Sequence, residues 1–233
     1  MTSNPPLCTA RLATLRYQAG SFFSLSYPRS PRTVPSQQSL VYNCLVKNIS
    51  LTLGENQEKT LPIVWTSGSG EVSIHAQLVG RGAKLNLIGA FFLSGKDDVK
   101  LNINIEHIAP DTTSDTLIKS VLTDQANGGF YGLVRIKKGA KNTNTFFRED
   151  ALLLSDTAKA EAIPSLEIDE NEVKAGHAST VGPVDEERLF YLMSRGIASK
   201  EAQSLVVRGF LSPVLEKIVD KDRLPLEKIL EKV

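Results

Sequence analysis

Residues 166–210 read LEIDENEVKAGHASTVGPVDEERLFYLMSRGIASKEAQSLVVRGF, and the pattern of this stretch changes abruptly near its middle. Before Pro183, apolar residues alternate with polar ones or lie among small ones, which is typical of strands. After Pro183, apolar residues recur every three or four positions, which is typical of amphipathic helices. The stretch therefore predicts that a β structure is followed by a helical segment.

Upstream of this stretch, short strand-like runs are separated by breaks that contain Gly or Asp. The runs are Val72–Leu78, Leu85–Leu93, Val99–Ile105, Phe130–Ile136, Thr143–Leu154 and Ala158–Ile168. Seven or more short strands with tight turns indicate an all-β core, which can be a sandwich, a barrel or a β-solenoid. Because no clear repeat is visible, periodicity alone does not choose among the three.

Helix start and stop signals follow the strands. Asp185 is an expected N-cap, Gly196 is expected to end that helix, and Ser199 is expected to cap the next one. Pro213 is predicted to open a third helix, and a last helix is predicted to begin near Pro225. Such a segment can cover the open end of a solenoid or offer an apolar groove to a partner.

The length of the chain allows one large domain, or one domain with a smaller appendage. The chain has 233 residues, of which 41% are hydrophobic, and a net charge of +1. We expect a Pro- and Ser-rich, poorly ordered arm over residues 1–38, a β core over 39–182 and a helical domain over 183–233. The small net charge gives no reason to expect nucleic acid as a partner, and no apolar run is long enough to span a membrane.

Cysteine usage indicates a reducing compartment. Cys8 and Cys44 are too few for a disulfide framework and do not form a metal-binding spacing. A cytoplasmic location is therefore expected. The chain also lacks a P-loop pattern, so any nucleotide would be bound by another protein.

Three histidines are candidate functional residues. By strand parity, His75 faces away from Ile74 and Ala76 and is expected to be solvated, whereas His107 stands at the end of a strand. His177 differs, because small residues flank it on both sides and leave its imidazole accessible to another surface. A neutral imidazole can ligate a transition metal, although one histidine needs further ligands from elsewhere.

The order of motifs from Glu106 to Phe210 resembles the core of the SufB/SufD family of iron–sulfur cluster assembly proteins. The motifs are His107, Asp111–Ser114, Phe130–Gly132, Leu152–Ser155, Pro164–Ile168, His177, Leu189–Ile197 and Gly209-Phe210. This resemblance implies a right-handed parallel β-helix with flanking helices. It also implies a non-enzymatic subunit that pairs with a SufB-type scaffold and binds the SufC ATPase, while a transient iron–sulfur cluster forms at the shared interface.

The resemblance is closer to SufD-type than to SufB-type members. Ala178 follows His177 where SufB-type members resemble His-Glu, and no cysteine occurs after Cys44. Ala175 occupies the position at which SufD-type members usually carry a cysteine. His177 is thus predicted to be a ligand at the interface with SufB. Because the family carries a helical domain and more β-helix turns upstream, we expect a compact variant or a piece of a longer protein.

The C-terminal helices are predicted to form the docking surface for SufC. The residues predicted to bind this partner are Leu189, Phe190, Tyr191, Arg195, Gly196, Leu205 and Phe210. A homodimer in isolation is also possible. Two other interpretations stay open: a stand-alone β-helix enzyme that acts on polysaccharide, and a structural remnant that binds SufC only.

Overall fold

The structure is a computed structural model that describes residues 40–42, 46–218 and 220–230. The predicted arm over residues 1–38 lies outside the described residues, and the division into domains stays a prediction. Within the described ranges, the strands are β1 Leu40–Tyr42, β2 Val46–Leu53, β3 Glu58–Trp65, β4 Gly70–Leu78, β5 Lys84–Leu93, β6 Asp98–His107, β7 Thr113–Leu122, β8 Asn127–Ile136, β9 Asn144–Leu153, β10 Lys159–Ile168 and β11 Lys174–Pro183. The helices are α1 Glu186–Ser194, α2 Ser199–Leu215 and α3 Asp220–Leu230.

The strands form two parallel sheets, which together make a β-solenoid of about five turns. One sheet has the order β1-β3-β5-β7-β9-β11, and the other has the order β2-β4-β6-β8-β10. Lys84 pairs with Thr113, Thr113 with Asn144 and Asn144 with Lys174, so successive turns advance by 29, 31 and 30 residues. Parallel crossovers of this kind are nearly always right-handed. The predicted fold class, a mainly β solenoid with C-terminal helices, is confirmed.

Alternate side chains of β3 to β11 point into the solenoid, and the early turns have an apolar interior. Trp65, Phe91 and Leu101 are almost completely buried there. Side-chain volume is matched across the two sheets. A Cβ atom on Gly132 of β8 would lie 2.3 Å from the Cζ atom of Phe147 on β9, so glycine is needed to admit this ring.

The turns between the two sheets repeat one left-handed backbone position. Asn56, Gly82, Asp111 and Asn142 all have positive φ angles at equivalent points of successive turns. Asn and Asp tolerate this region better than other residues with a side chain. The amide of Asn142 donates to the Asp111 carboxylate at 2.9 Å, so the stacked turns are also joined through their side chains.

The C-terminal helices pack against the side of the solenoid. Val207, Leu211 and Val214 of α2 are buried against outward-facing residues of β3, β5 and β7, which include Val64 and Val121. The alternative of a helical cap over the open end is therefore wrong for α2 and α3, because the outward face of these three strands is itself apolar. Among the described residues, no helix is long and apolar enough to cross a membrane.

Two of the predicted helix boundaries are wrong. Ser199 is the first helical residue, and its predecessor Ala198 is an N-cap without a side-chain hydrogen bond. Pro213 lies inside α2 rather than at the start of a helix. The proline has no N–H for the Gly209 carbonyl, but the Ser212 hydroxyl donates to that oxygen at 3.0 Å and replaces the missing bond.

The predicted start of the last helix is also wrong, because α3 begins at Asp220 and contains Pro225. The Asp185 cap is confirmed, since its carboxylate accepts from the backbone N–H groups of Glu187 and Arg188.

Candidate metal and partner site at the terminal turn

The last turn of the solenoid, formed by β10 and β11, is the most exposed part of the β structure. Each strand is the edge of its sheet: within the described ranges, β10 pairs with β8 alone, and β11 pairs with β9 alone. The side chains of β10 and β11 are half-buried or exposed throughout, whereas every second side chain of β8 is fully buried. An exposed edge strand presents unpaired backbone N–H and C=O groups, which can pair with another chain.

His177 lies on β11 at an inward position. It is in register with Phe147, which in turn is in register with Thr116 of β7, and both of these side chains are buried inside the solenoid. His177 itself is exposed, because no further turn within the described part of the chain covers the interior at this end. The imidazole is therefore accessible from the open end, in agreement with the accessibility predicted for it. Its role as a metal ligand stays a prediction.

Glu149 is a buried carboxyl directly beneath this exposed turn. It is inward on β9, in register with Ser179 of β11 and Ile118 of β7, and its residue surface is only 1% exposed. Neither carboxyl oxygen has a hydrogen-bond partner among the residues that the structure describes. Burial, together with the nearby charge of Asp150, raises the pKa of Glu149 to about 8. Burying such an unpartnered group costs about 1–3 kcal/mol relative to a satisfied one.

Glu149 was not predicted as a site residue. The alternation of β9 could have revealed it, because Glu149 lies between Phe147 and Ala151 on the same inward face, where a charged residue is unexpected. Among the residues that the structure describes, no three or more His, Cys, Asp or Glu side chains are grouped closely enough to hold a metal ion. A metal at this end would need ligands from solvent or from a partner.

His107 belongs to a buried structural network rather than to the exposed site. Its Nδ1 lies 2.8 Å from the Thr112 hydroxyl, and its Nε2 lies 2.9 Å from the Ser114 hydroxyl. The hydroxyls of Thr112 and Thr143 each donate to a backbone carbonyl, that of Ala109 at 3.2 Å and that of Ala140 at 2.8 Å. Thr112 can then accept from Nδ1–H, while Ser114 donates to Nε2. This pattern suits a neutral ring, and burial lowers the pKa of His107 to about 4.

Carboxylates on the outer face of the even-numbered sheet are paired with a cation. Arg135 lies 3.3 Å from Glu106 and also contacts Glu167. A hydrogen bond from Gln77, and then the bond from Arg135, lowers the pKa of Glu106, and the bond from Arg135 lowers that of Glu167. Both groups are therefore ionised at neutral pH. His75 points to the same face and is substantially exposed, as predicted from strand parity.

The residues predicted to bind a partner lie on α1 and α2 and in the turn between them. The side chains of Phe190, Tyr191 and Leu205 are exposed by 70%, 57% and 45%, and Met193 is similarly open. Leu189 is half-buried. Arg195 is stacked on the ring of Tyr191, and Gly196, with its positive φ angle, follows the end of α1. These exposed residues form an apolar surface on the helical segment, and their binding role stays a prediction.

Phe210 differs from the other residues in this set. It is half-buried against the solenoid, where the Lys119 ammonium lies 4.2 Å from the centre of its ring. Lys119 also forms a buried ion pair with Asp150 at 3.0 Å. The ring of Phe210 thus helps to attach α2 to β7 and β9.

Comparison with known proteins agrees with this geometry. Residues 47–210 match the family model described as "SUF system FeS cluster assembly, SufBD core domain". The chain belongs to the SufBD family. The matched region covers the solenoid from β2 onward together with α1 and most of α2. It includes both the terminal turn and the exposed apolar residues of the helices.

Curated relatives occur in mycobacteria. An iron–sulfur cluster assembly SufBD family protein of Mycobacterium tuberculosis is 30% identical over 204 residues, which cover 85% of this chain and 23% of the relative. A second such protein of that species is 37% identical over 155 residues, covering 63% and 39% of the two chains. A protein of Mycobacterium leprae with the same family name is 36% identical over 155 residues, covering 63% of this chain and 40% of its own. The chain thus spans less than half the length of these relatives.

Proposed function

We propose that this chain is a non-enzymatic, SufD-like subunit of an iron–sulfur cluster assembly complex. It pairs with a SufB-type scaffold through the terminal turn of the solenoid and binds a SufC-type ATPase through its C-terminal helices. The observation that carries this proposal is the open last turn, in which both strands are exposed edges and one of them, β11, carries the accessible His177. The cluster is the cargo of the complex and is held transiently at the interface. The proposed setting is the cytoplasm.

The SufD-like assignment is supported by the residues beside His177. Ala175 and Ala178 offer no ligand, and the sequence contains no cysteine after Cys44. The terminal turn can thus contribute an imidazole but no thiolate, so the sulfur ligands of a cluster must come from the partner. A subunit with one ligand suits the complementary side of a shared site better than the scaffold side.

The polysaccharide enzyme is supported less well. Glycoside hydrolysis needs one carboxyl that stays protonated near neutral pH beside a second, ionised one. On the outer face of the even-numbered sheet, Glu106 and Glu167 are both ionised and share Arg135. Neither is suited to act as the general acid.

Co-expression of this chain with the SufB-type and SufC-type proteins of the same genome, followed by a pull-down and an assay of iron and sulfide, tests the proposal. We expect a stoichiometric complex that carries cluster. His177→Ala should lower the iron and sulfide content without releasing either partner. A mutant complex with full cluster content would favour the structural remnant, and failure to bind either partner would refute the proposal. Size-exclusion chromatography of the isolated chain reports whether it forms the homodimer.

The helical docking surface is tested with a matched pair of substitutions on α2. Leu205→Glu places a charge on an exposed side chain, so the fold should persist while SufC binding weakens. Val207→Glu places the same charge in the buried contact with the solenoid and should unfold the helical segment. Circular dichroism separates the two effects. A Leu205→Glu variant that folds and binds SufC normally would show that this surface is not the dock.

A further inference from the structure

The interior of the solenoid becomes polar toward its open end. The inward residues of β3 and β5 are apolar, for example Ile63, Trp65 and Leu87. From β7 onward, the odd-numbered sheet places polar residues at inward positions, namely Ser114, Thr116, Ser120, Thr145, Glu149, His177 and Ser179. The first members of this series near the turn are tied into the network of His107. Glu149, His177 and Ser179 lie outside that network.

Among these inward polar residues, Glu149 is the one whose presence the packing of the solenoid does not explain. Both carboxyl oxygens are buried and unpartnered, in a position whose neighbour in the preceding turn is Ile118. Ser120, which lies two residues after Ile118 on β7, also has a buried hydroxyl without a hydrogen-bond partner among the described residues. An apolar side chain would fill the position of Glu149 without this penalty. The carboxyl is aimed into the interior at the point where the last turn begins.

The register brings Glu149 and His177 within reach of one ion. Glu149 lies opposite Ser179, and His177 is two residues from Ser179 on the same face of β11. With strands about 4.8 Å apart and a rise of about 3.3 Å per residue, the two Cα atoms are separated by about 8 Å. Two side chains that project into the same interior can converge on an ion across this distance. The inward positions of β10 include Ala160 and Ala162, which take up little of the interior.

We propose that Glu149 and His177 together bind one divalent transition-metal ion between the last two turns of the solenoid. A carboxylate oxygen and an imidazole nitrogen are both ligands that suit Fe²⁺, and the ion's other coordination positions are left to water or to a partner. The choice of Fe²⁺ rests on the proposed function.

The test is an anaerobic titration of the 233-residue chain with Fe²⁺ alone, in which the heat of binding is measured by calorimetry. We expect one ion per chain, and at least a tenfold weaker affinity for Glu149→Gln and for His177→Ala. Glu172→Gln is the matched control, because Glu172 is an exposed carboxylate paired with Lys141, and its affinity should be unchanged. Absence of binding by the native chain, or native affinity in Glu149→Gln, would overturn the site.

Thermal unfolding of Glu149→Gln and Glu149→Leu separates a ligand from a structural residue. If Glu149 is held for binding, removing its unpartnered carboxyl leaves the melting temperature unchanged or raises it. A fall in melting temperature in both variants would assign Glu149 to the fold and refute the proposal. The same variants are then taken through the pull-down with SufB-type and SufC-type proteins. Intact complexes with lost Fe²⁺ binding support the site, whereas a native chain that binds Fe²⁺ but neither partner would refute only the proposed function.

Discussion

His107 should make the stability of this protein depend on pH above the range in which most carboxylates titrate. Burial lowers the pKa of His107 from its ordinary value of 6.5 to about 4. Between these two values, the unfolded chain binds a proton at this residue and the folded chain does not. The free energy of unfolding therefore falls as the pH decreases from about 6.5 toward 4.

The size of the effect follows from this difference in pKa. A shift of about 2.5 units corresponds to about 3 kcal/mol when the whole range is crossed. About 2 kcal/mol of this is lost between pH 7 and pH 5, where the ring is protonated in most unfolded chains but in few folded ones. The neutral ring is the form that fits the hydrogen bonds with Thr112 and Ser114.

Guanidinium unfolding at pH 7, 6 and 5 measures this contribution when the native chain is compared with His107→Leu. Trp65 is the single tryptophan and is fully buried inside the solenoid, so its fluorescence reports unfolding of the core. The variant keeps the bond of Thr112 to the Ala109 carbonyl and that of Ser114 to Thr145. Other titrating groups cancel in the comparison. If the two proteins lose the same stability between pH 7 and pH 5, the reasoning about His107 is refuted.

Two further substitutions test the packing described above. Gly132→Ala should destabilise the fold by about 1–3 kcal/mol, because its Cβ atom would clash with Phe147 inside the solenoid. Adding Phe147→Leu should recover part of this loss in thermal melts. An unchanged melting temperature of the single variant would show that the interior can accommodate the added methyl group. Lys119→Met should cost about 3 kcal/mol in chemical denaturation, because it leaves the buried Asp150 with Arg148 alone. The double variant Lys119→Met/Asp150→Leu should be closer to the native chain, and a fully stable single variant would contradict this account.

The strands that the sequence predicted well are those whose inward residues are uniformly apolar. Val72–Leu78 and Val99–Ile105 alternate strictly and lie within β4 and β6. β7 is absent from the predicted runs, because several of its inward positions carry Ser or Thr. The hydrophobic period is lost in this strand, although backbone pairing in the sheet maintains its extended structure.

The solenoid itself could not be chosen from periodicity. Successive turns of the solenoid differ in length by one or two residues, and the difference lies in the loops between the strands. No fixed repeat therefore appears in the sequence. The resemblance to a family predicted it instead. The accessibility of His177 was predicted from its small neighbours. Glu149 was not, because its significance depends on both its burial and its missing hydrogen-bond partners, which are properties of the folded chain.

The packing of α2 and α3 against β3, β5 and β7 has a consequence for synthesis of the protein. Val64, Ile88 and Val121 leave the ribosome long before Val207, Leu211 and Val214, the residues that cover them. The nascent solenoid therefore presents an uncovered apolar stripe until the last segment of the chain has been translated. During this interval the exposed stripe can bind a chaperone, and it can also mediate aggregation of two incomplete chains.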